Sequence, residues 1–230
     1  MAGKKKLAQY AEIKALPNVL EVPFDEVFNK QYKLHGKWSS EVFKNNNPIV
    51  LELGCGKGEY TVGLARNYPN HNFIGVDIKG ARMWRGAKTA IDDNLNNVLF
   101  LRTFIEFIDS YFDKEEVSEI WITFPDPQPR ESREKKRLTS PGFLEKYFRF
   151  LKQGGTIHLK TDAIELYRYS VETAENLSLN IEIASDQLYK DLPGLDLTET
   201  EKRVLEIPTY YEQKFIEKGH EICYLKIKAK

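Results

Sequence analysis

From residue 49 onward the chain alternates short apolar runs with stretches of helical spacing. Ile49-Val50-Leu51 leads through Glu52 and Leu53 into glycines at 54, 56 and 58. Val62, Leu64, Ala65 and Tyr68 then mark one face of a helix that stops before Pro69. The pattern predicts a buried strand, a tight glycine turn and a helix start. The alternation continues, with strands predicted over 72–77, 98–101, 120–124, 155–160 and 179–185, and helices over 81–94, 142–151 and 163–177. A last strand, 222–228, has the two-residue rhythm of an antiparallel edge. Strands interleaved with helices predict an α/β fold with seven strands, mostly parallel, and helices on both faces of the sheet.

Residues 1–48 read differently. Lys4-Lys5-Lys6 opens a weak helical pattern (Leu7, Tyr10, Ala11) that ends at Pro17, and the expectation is a solvated, partly mobile arm. An aromatic, irregular stretch follows, with a short helix expected around 38–43 before Asn45-Asn46-Asn47-Pro48 turns the chain into its first strand. The expected division is therefore an arm and lead-in helix, 1–48, and one main domain, 49–230, carrying a charged insertion over 186–212.

Composition changes the picture little. The 230 residues carry 34 basic and 34 acidic side chains, so a nucleic-acid site must come from local clustering rather than a global field. Cys55 and Cys223 are the only cysteines and read as reduced thiols. No apolar run approaches membrane-spanning length and no signal core follows the lysines, which makes a cytoplasmic protein without membrane attachment the expectation. His35, His71, His158 and His220 are scattered without metal-ligand spacing, so no metal is expected.

The chemistry should gather at the carboxyl ends of the strands, where open α/β sheets bind ligands. Glu52, Asp77, Thr103, Asp126 and Asp162 occupy those ends. The glycine turn lacks the third glycine of a dinucleotide fingerprint, since Glu59 stands there, and it lacks the Gly-Lys-[Ser/Thr] of a phosphate loop. An acid just before the turn suits a cationic ligand better than a phosphate, and Asp77, about twenty residues on, suits a ribose diol. An unliganded glycine corner and a plain strand-end Asp are the alternatives.

Further along, Phe124-Pro125-Asp126-Pro127 holds a carboxylate between two prolines. Arg130 to Arg137 then sets five cations against two carboxylates. Such a run is either a solvated surface or a phosphate-binding patch, with Arg133, Lys135, Lys136 and Arg137 as backbone contacts. Thr209-Tyr210-Tyr211-Glu212 offers an aromatic pair beside an acid, which could stack on a purine and accept from its N–H groups, or could be a packed aromatic hinge.

With these motifs in hand, E-x-G-x-G-x-G resembles the first motif of class I S-adenosylmethionine (SAM) methyltransferases. The order FPDP, basic stretch ending Lys136-Arg137-Leu138, Gly154-Gly155, Lys160-Thr161-Asp162 and T-x-Y-E resembles the bacterial single-chain tRNA (guanine-N7-)-methyltransferases, from about residue 49 onward. The resemblance implies a Rossmann-like class I methyltransferase that methylates N7 of guanine 46 in the tRNA variable loop. It places Glu52, Gly54, Gly56, Asp77, Thr103 and Asp126 at SAM, with Asp126 also at the reacting base. It assigns Arg130, Asp162, Thr209, Tyr210, Tyr211 and Glu212 to the tRNA substrate, and it leaves monomer and homodimer both open. Gln128, Arg130 and Thr103 depart from the residues usual in that family. A methyltransferase of a small molecule or another RNA, and a non-catalytic RNA-binding protein on this scaffold, are the competing readings.

Overall fold

A fully buried strand, Ile49–Leu53, delivers the chain into the glycine turn, as its unbroken apolar run requires. The structure is a computed structural model that describes residues 2–229, and the side chains of residues 2–6, among them Lys4, Lys5 and Lys6, lie outside the described set. The chain divides into two units, Met1–Asp113 and Lys114–Lys230.

The first unit contains α1 (Ala2–Ile13), β1 (Val19–Glu21), β2 (Ile49–Leu53), α2 (Glu59–Asn67), β3 (Asn72–Asp77), α3 (Gly80–Asp92) and β4 (Val98–Arg102). Its strands lie in the order β1-β4-β3-β2, and all three pairings are parallel. Parallel strands covered by helices read as continuous apolar runs, which is how β2, β3 and β4 appear in the sequence.

Two expectations for the lead-in are corrected here. Rather than a solvated arm, α1 is a helix packed on α3: Ile13 is buried, Arg102 lies 5.5 Å from the centroid of the Tyr10 ring, and Lys88 pairs with Glu12 at 3.8 Å. Secondly, β1 is an eighth strand. Its three residues pair with Phe100, Leu101 and Arg102, too short a run for period-two patterning to register. The helical turn expected near residue 38 is present as a π-helical segment, Trp38–Phe43, with Trp38 buried and its indole N–H donating to the Tyr111 carbonyl at 2.8 Å.

The second unit contains β5 (Val117–Thr123), α4 (Pro141–Phe148), β6 (Leu151–Thr161), α5 (Ile164–Asn176), β7 (Asn180–Ser185), α6 (Leu188–Asp191), α7 (Glu199–Leu205), α8 (Tyr210–Ile216) and β8 (Cys223–Lys228). Here the strand order is β5-β6-β8-β7, with β5 parallel to β6 and β8 antiparallel to both its neighbours. The charged insertion is thus α6, α7 and the start of α8 rather than open loop. A capping box at Thr198–Glu201 and another at Thr209–Glu212 start the last two helices.

Candidate active site

In the first unit the glycine turn and two carboxylates form one hydrogen-bonded assembly. The amides of Gly54 and Cys55 donate to the Val76 carbonyl at 2.8 and 3.0 Å, and the Gly58 amide donates to the Cys55 carbonyl at 2.7 Å. Asp77 ties this turn to the next: its Oδ2 accepts from the Gly56 amide at 3.0 Å and its Oδ1 from the Lys79 amide at 2.8 Å. Each oxygen keeps a second lone pair, enough to accept a diol hydroxyl. Glu52 is 3% exposed, and the Thr61 hydroxyl of α2 donates to its carboxylate.

Gly54 has φ +80°, and a Cβ built there would meet nothing within 4 Å. Backbone that turns through the left-handed region and opens onto empty space is what a ligand lying against the chain requires. Together with an acidic lining, this suits the cationic amino acid and ribose of SAM. Thr103 is placed differently from expectation. It is buried, its amide donates to the Asp77 carbonyl at 3.1 Å, and its hydroxyl accepts from Tyr111 at 2.9 Å, so its side chain serves a protein contact. Burial pushes that Tyr111 phenol up to about 12.

Cys55, inside the glycine turn, is not set up as a nucleophile. Burial pushes its thiol well up, and the neighbouring Glu52 and Asp77 charges add to the effect. Cys223 is raised to about 11 by burial. A reactive thiol needs the opposite environment. At pH 8, therefore, iodoacetamide should leave the native protein almost unlabelled and should modify both thiols in denaturant; two labels on the native protein would contradict these surroundings.

The second unit assembles the acceptor-side motifs. β5 ends at Thr123, and Phe124 follows at φ +47°, a conformation that costs a bulky residue roughly 1–3 kcal/mol and that is tolerated where the surroundings impose it. Its amide donates to the Lys160 carbonyl at 2.8 Å. The turn leaves Asp126 exposed, with Oδ1 accepting from the Gln128 amide at 3.1 Å. The basic stretch forms a short 3-10 helix, Glu131–Lys136, whose residues are all exposed, as is Arg130. Arg137 is drawn inward: its Nε donates to the Gln128 carbonyl at 3.3 Å and its guanidinium sits 4.3 Å from the centroid of the Tyr169 ring. That packing fixes the end of the turn and makes Arg137 a support for the cations before it.

The T-x-Y-E motif also takes a role that its residue types did not disclose. Thr209 and Glu212 close the capping box of α8: the Glu212 amide donates to Thr209 Oγ1 at 3.1 Å and the Thr209 amide to Glu212 Oε2 at 3.4 Å. Glu212 is 1% exposed and pairs at 2.6 Å with Lys160, which is itself fully buried on β6 and also donates to the Leu205 carbonyl at 2.5 Å. The Tyr189 hydroxyl donates to the same carboxylate. Burial pulls the Lys160 ammonium below its ordinary value, while the Glu212 carboxylate works to keep it protonated. Burial and that carboxylate together drive the Tyr189 phenol upward.

In this structure both Glu212 carboxylate oxygens are engaged by protein partners. Tyr210, 39% exposed, and Tyr211, half-buried, are the members of the motif that reach the surface, at 5.5 Å from each other in an edge-to-face pair. Asp162 lies 3.4 Å from His220, whose ring stacks on Phe215 of α8, and Phe215 in turn packs 6.1 Å from Phe124. Lys160 and Phe124 stand inside the sequence motifs, but residue type gives neither them nor this aromatic chain a role. One signal for Lys160 was available: it stands among Ile157, Leu159 and Thr161, in the part of the strand that is buried throughout.

A sheet with its glycine corner after an acid-terminated strand defines the class of SAM-dependent methyltransferases with a Rossmann-like fold. Residues 46–225 match the Methyltransf_4 family, described as "Putative methyltransferase". The solved 16S rRNA methyltransferase KamB shares the fold at TM-score 0.61 and 15% identity, covering 89% of this chain and 98% of that one.

Relatives sharpen this. The tRNA (guanine-N(7)-)-methyltransferase of Bacteroides fragilis is 49% identical over 97% of this chain and 85% of its own length. Its counterpart from Christiangramia forsetii is 47% identical over the whole of both chains. The chain belongs to the tRNA (guanine-N(7)-)-methyltransferase family.

Proposed function

We propose that this protein methylates N7 of a guanine in tRNA, at position 46 of the variable loop, with SAM as donor. The observation that carries the reading is identity of 47–49% to tRNA (guanine-N(7)-)-methyltransferases across nearly the full chain. SAM supplies an electrophilic methyl group on a sulfonium. Glu52, Gly54, Gly56 and Asp77 would hold it: Gly54 by leaving room for it, Asp77 by accepting from its ribose and Glu52 by lining the turn with negative charge. Thr103 would act through the backbone beside Asp77 rather than by its hydroxyl.

Guanine N7 attacks with a lone pair and has no proton to lose, so positioning and charge stabilisation suffice without a general base. Asp126 is exposed on a turn stiffened by two prolines, and its Oδ2 is the oxygen left over from the contact to Gln128. That carboxylate would face the positive charge growing on the guanine imidazole, and would also border the donor. Asp162, Tyr210 and Tyr211 would read and stack on the base, while Thr209 and Glu212 position them through the α8 cap. Arg130, Arg133, Lys135 and Lys136 would take backbone phosphates, with Arg137 anchoring their turn. Cytoplasmic location follows from such a substrate, and among the described residues no helix is long and apolar enough to cross a membrane.

Incubation of unmodified tRNA with labelled SAM, followed by nucleoside analysis, should yield 7-methylguanosine as the single methylated product. A transcript with 7-deazaguanine at position 46 should accept no methyl group. Methylation of that transcript, or of a free nucleoside in place of tRNA, would sink the proposal.

A further inference from the structure

The first unit carries a cleft of about 470 Å³ that none of the motifs above accounts for, lined by Gln9 of α1, by Lys57 and Glu59 at the glycine turn, and by Arg82, Trp84 and Arg85 of α3. Three cations meet one carboxylate there, in a chain whose formal charge is zero. They are not a run in the sequence; packing brings them together. Gly86 permits it: a Cβ at that position would lie 2.7 Å from the Lys57 carbonyl oxygen and 2.8 Å from the Gly58 Cα. Helix α3 therefore presses backbone to backbone on the glycine turn, and its Arg82 and Arg85 side chains share one cleft with Lys57.

Two further observations describe the cleft. The Trp84 side chain forms part of the cleft wall between Arg82 and Arg85, with its indole N–H turned into the protein. Arg85 is exposed and makes no ion pair among the described residues. Guanidinium groups and an ammonium around one space match a phosphodiester, whose oxygens accept from several directions and carry the countercharge.

We propose that the Lys57–Arg82–Arg85 cleft is a second binding site for the backbone phosphates of the RNA substrate, in addition to the 130–137 turn. This rests on the tRNA reading given above. The physical consequence is that RNA binding bears directly on the backbone of the SAM turn, because Lys57 belongs to both.

The double variant Arg82→Ala/Arg85→Ala tests it. Both side chains are exposed, so the fold should survive, and calorimetry should give wild-type SAM affinity as the control. The slope of log K against log salt for tRNA binding should shrink by between about 1 and 2, the counterions released by two phosphate contacts. Affinity at moderate salt should fall at least 10-fold. Arg82→Lys/Arg85→Lys should restore most of the slope, since charge rather than fork geometry sets it.

An unchanged slope in the alanine variant, with wild-type enzyme methylating tRNA normally, would overturn this cleft and leave the tRNA reading intact. Loss of SAM binding equal to the loss of tRNA binding would reassign the cleft to the donor site and overturn the proposal as well. Wild-type protein that neither binds nor methylates tRNA would overturn the parent reading, and the cleft's role with it.

Discussion

Lys160→Met should lose about 3–5 kcal/mol of stability, seen as a fall in Tm on the order of 10 °C. Lys160 is fully buried, and its ammonium meets Glu212 at 2.6 Å and the Leu205 carbonyl at 2.5 Å. Methionine fills the volume but strands the Glu212 carboxylate in the interior, facing a Tyr189 hydroxyl and one backbone amide with no cation. The desolvation cost of that charge sets the size of the effect, more than the attraction lost. Lys160→Met/Glu212→Gln should accordingly recover more than half of the loss, because a neutral amide at 212 needs no counterion and still caps α8.

The functional part of this prediction is separate. Without the Lys160 anchor α8 loses its fixed register, so tRNA affinity should fall in the single variant at temperatures where it remains folded. Additive costs in the double variant, or a single-variant loss below about 1 kcal/mol, would mean that the pair is not coupled as the geometry indicates.

Gly54→Ala and Gly58→Ala should fail in opposite ways. Both glycines have left-handed backbone, φ +80° and +71°, and alanine there costs roughly 1–2 kcal/mol. They differ in what a Cβ would meet. At Gly54 there is nothing within 4 Å, whereas at Gly58 the Phe100 ring is 2.5 Å away and the Gly86 Cα 3.1 Å. Gly58→Ala should therefore add an overpacking cost of about 1–3 kcal/mol and unfold at distinctly lower temperature. Gly54→Ala should remain nearly as stable as its backbone strain allows, yet bind SAM at least 10-fold more weakly, because its methyl group occupies the space left for the donor. Equal melting temperatures for the two, or unimpaired SAM binding by Gly54→Ala, would remove the distinction.

How far the sequence discloses all this depends on what each feature is made of. β2, β3 and β4 declare themselves because a strand buried on both faces must be written in Ile, Val, Leu and Phe, and β8 by its two-residue rhythm. The glycine turn does so because its backbone excludes side chains. Three-residue β1 is invisible to any periodicity, and α1 is held by scattered contacts of Tyr10, Glu12 and Ile13, too little to rise above a weak helical pattern.

Glu212 illustrates the harder limit. Its residue type suggested a hydrogen-bond acceptor for a base, but its partner is fifty-two positions back on another element, and burial of a charge pair cannot be read from either residue alone. Arg137 is similar. Within a run of five cations it was indistinguishable from its neighbours, and only the Tyr169 ring beside it marks it as the one turned inward. The Lys57, Arg82 and Arg85 cleft depends on a contact across the glycine turn, which no local pattern encodes.

The position of β8 has a consequence for synthesis. It lies between β6 and β7, so the last strand made is an interior strand of its unit. While the chain grows from the amino end, β6 and β7 must wait with unpaired edges until Cys223–Lys228 emerges. Exposed edges are templates for pairing with other chains. A nascent chain stalled or cleaved before residue 223 would thus carry adhesive strand edges on β6 and β7, and quality-control machinery in the cell would meet it as an aggregation hazard rather than as a shortened enzyme.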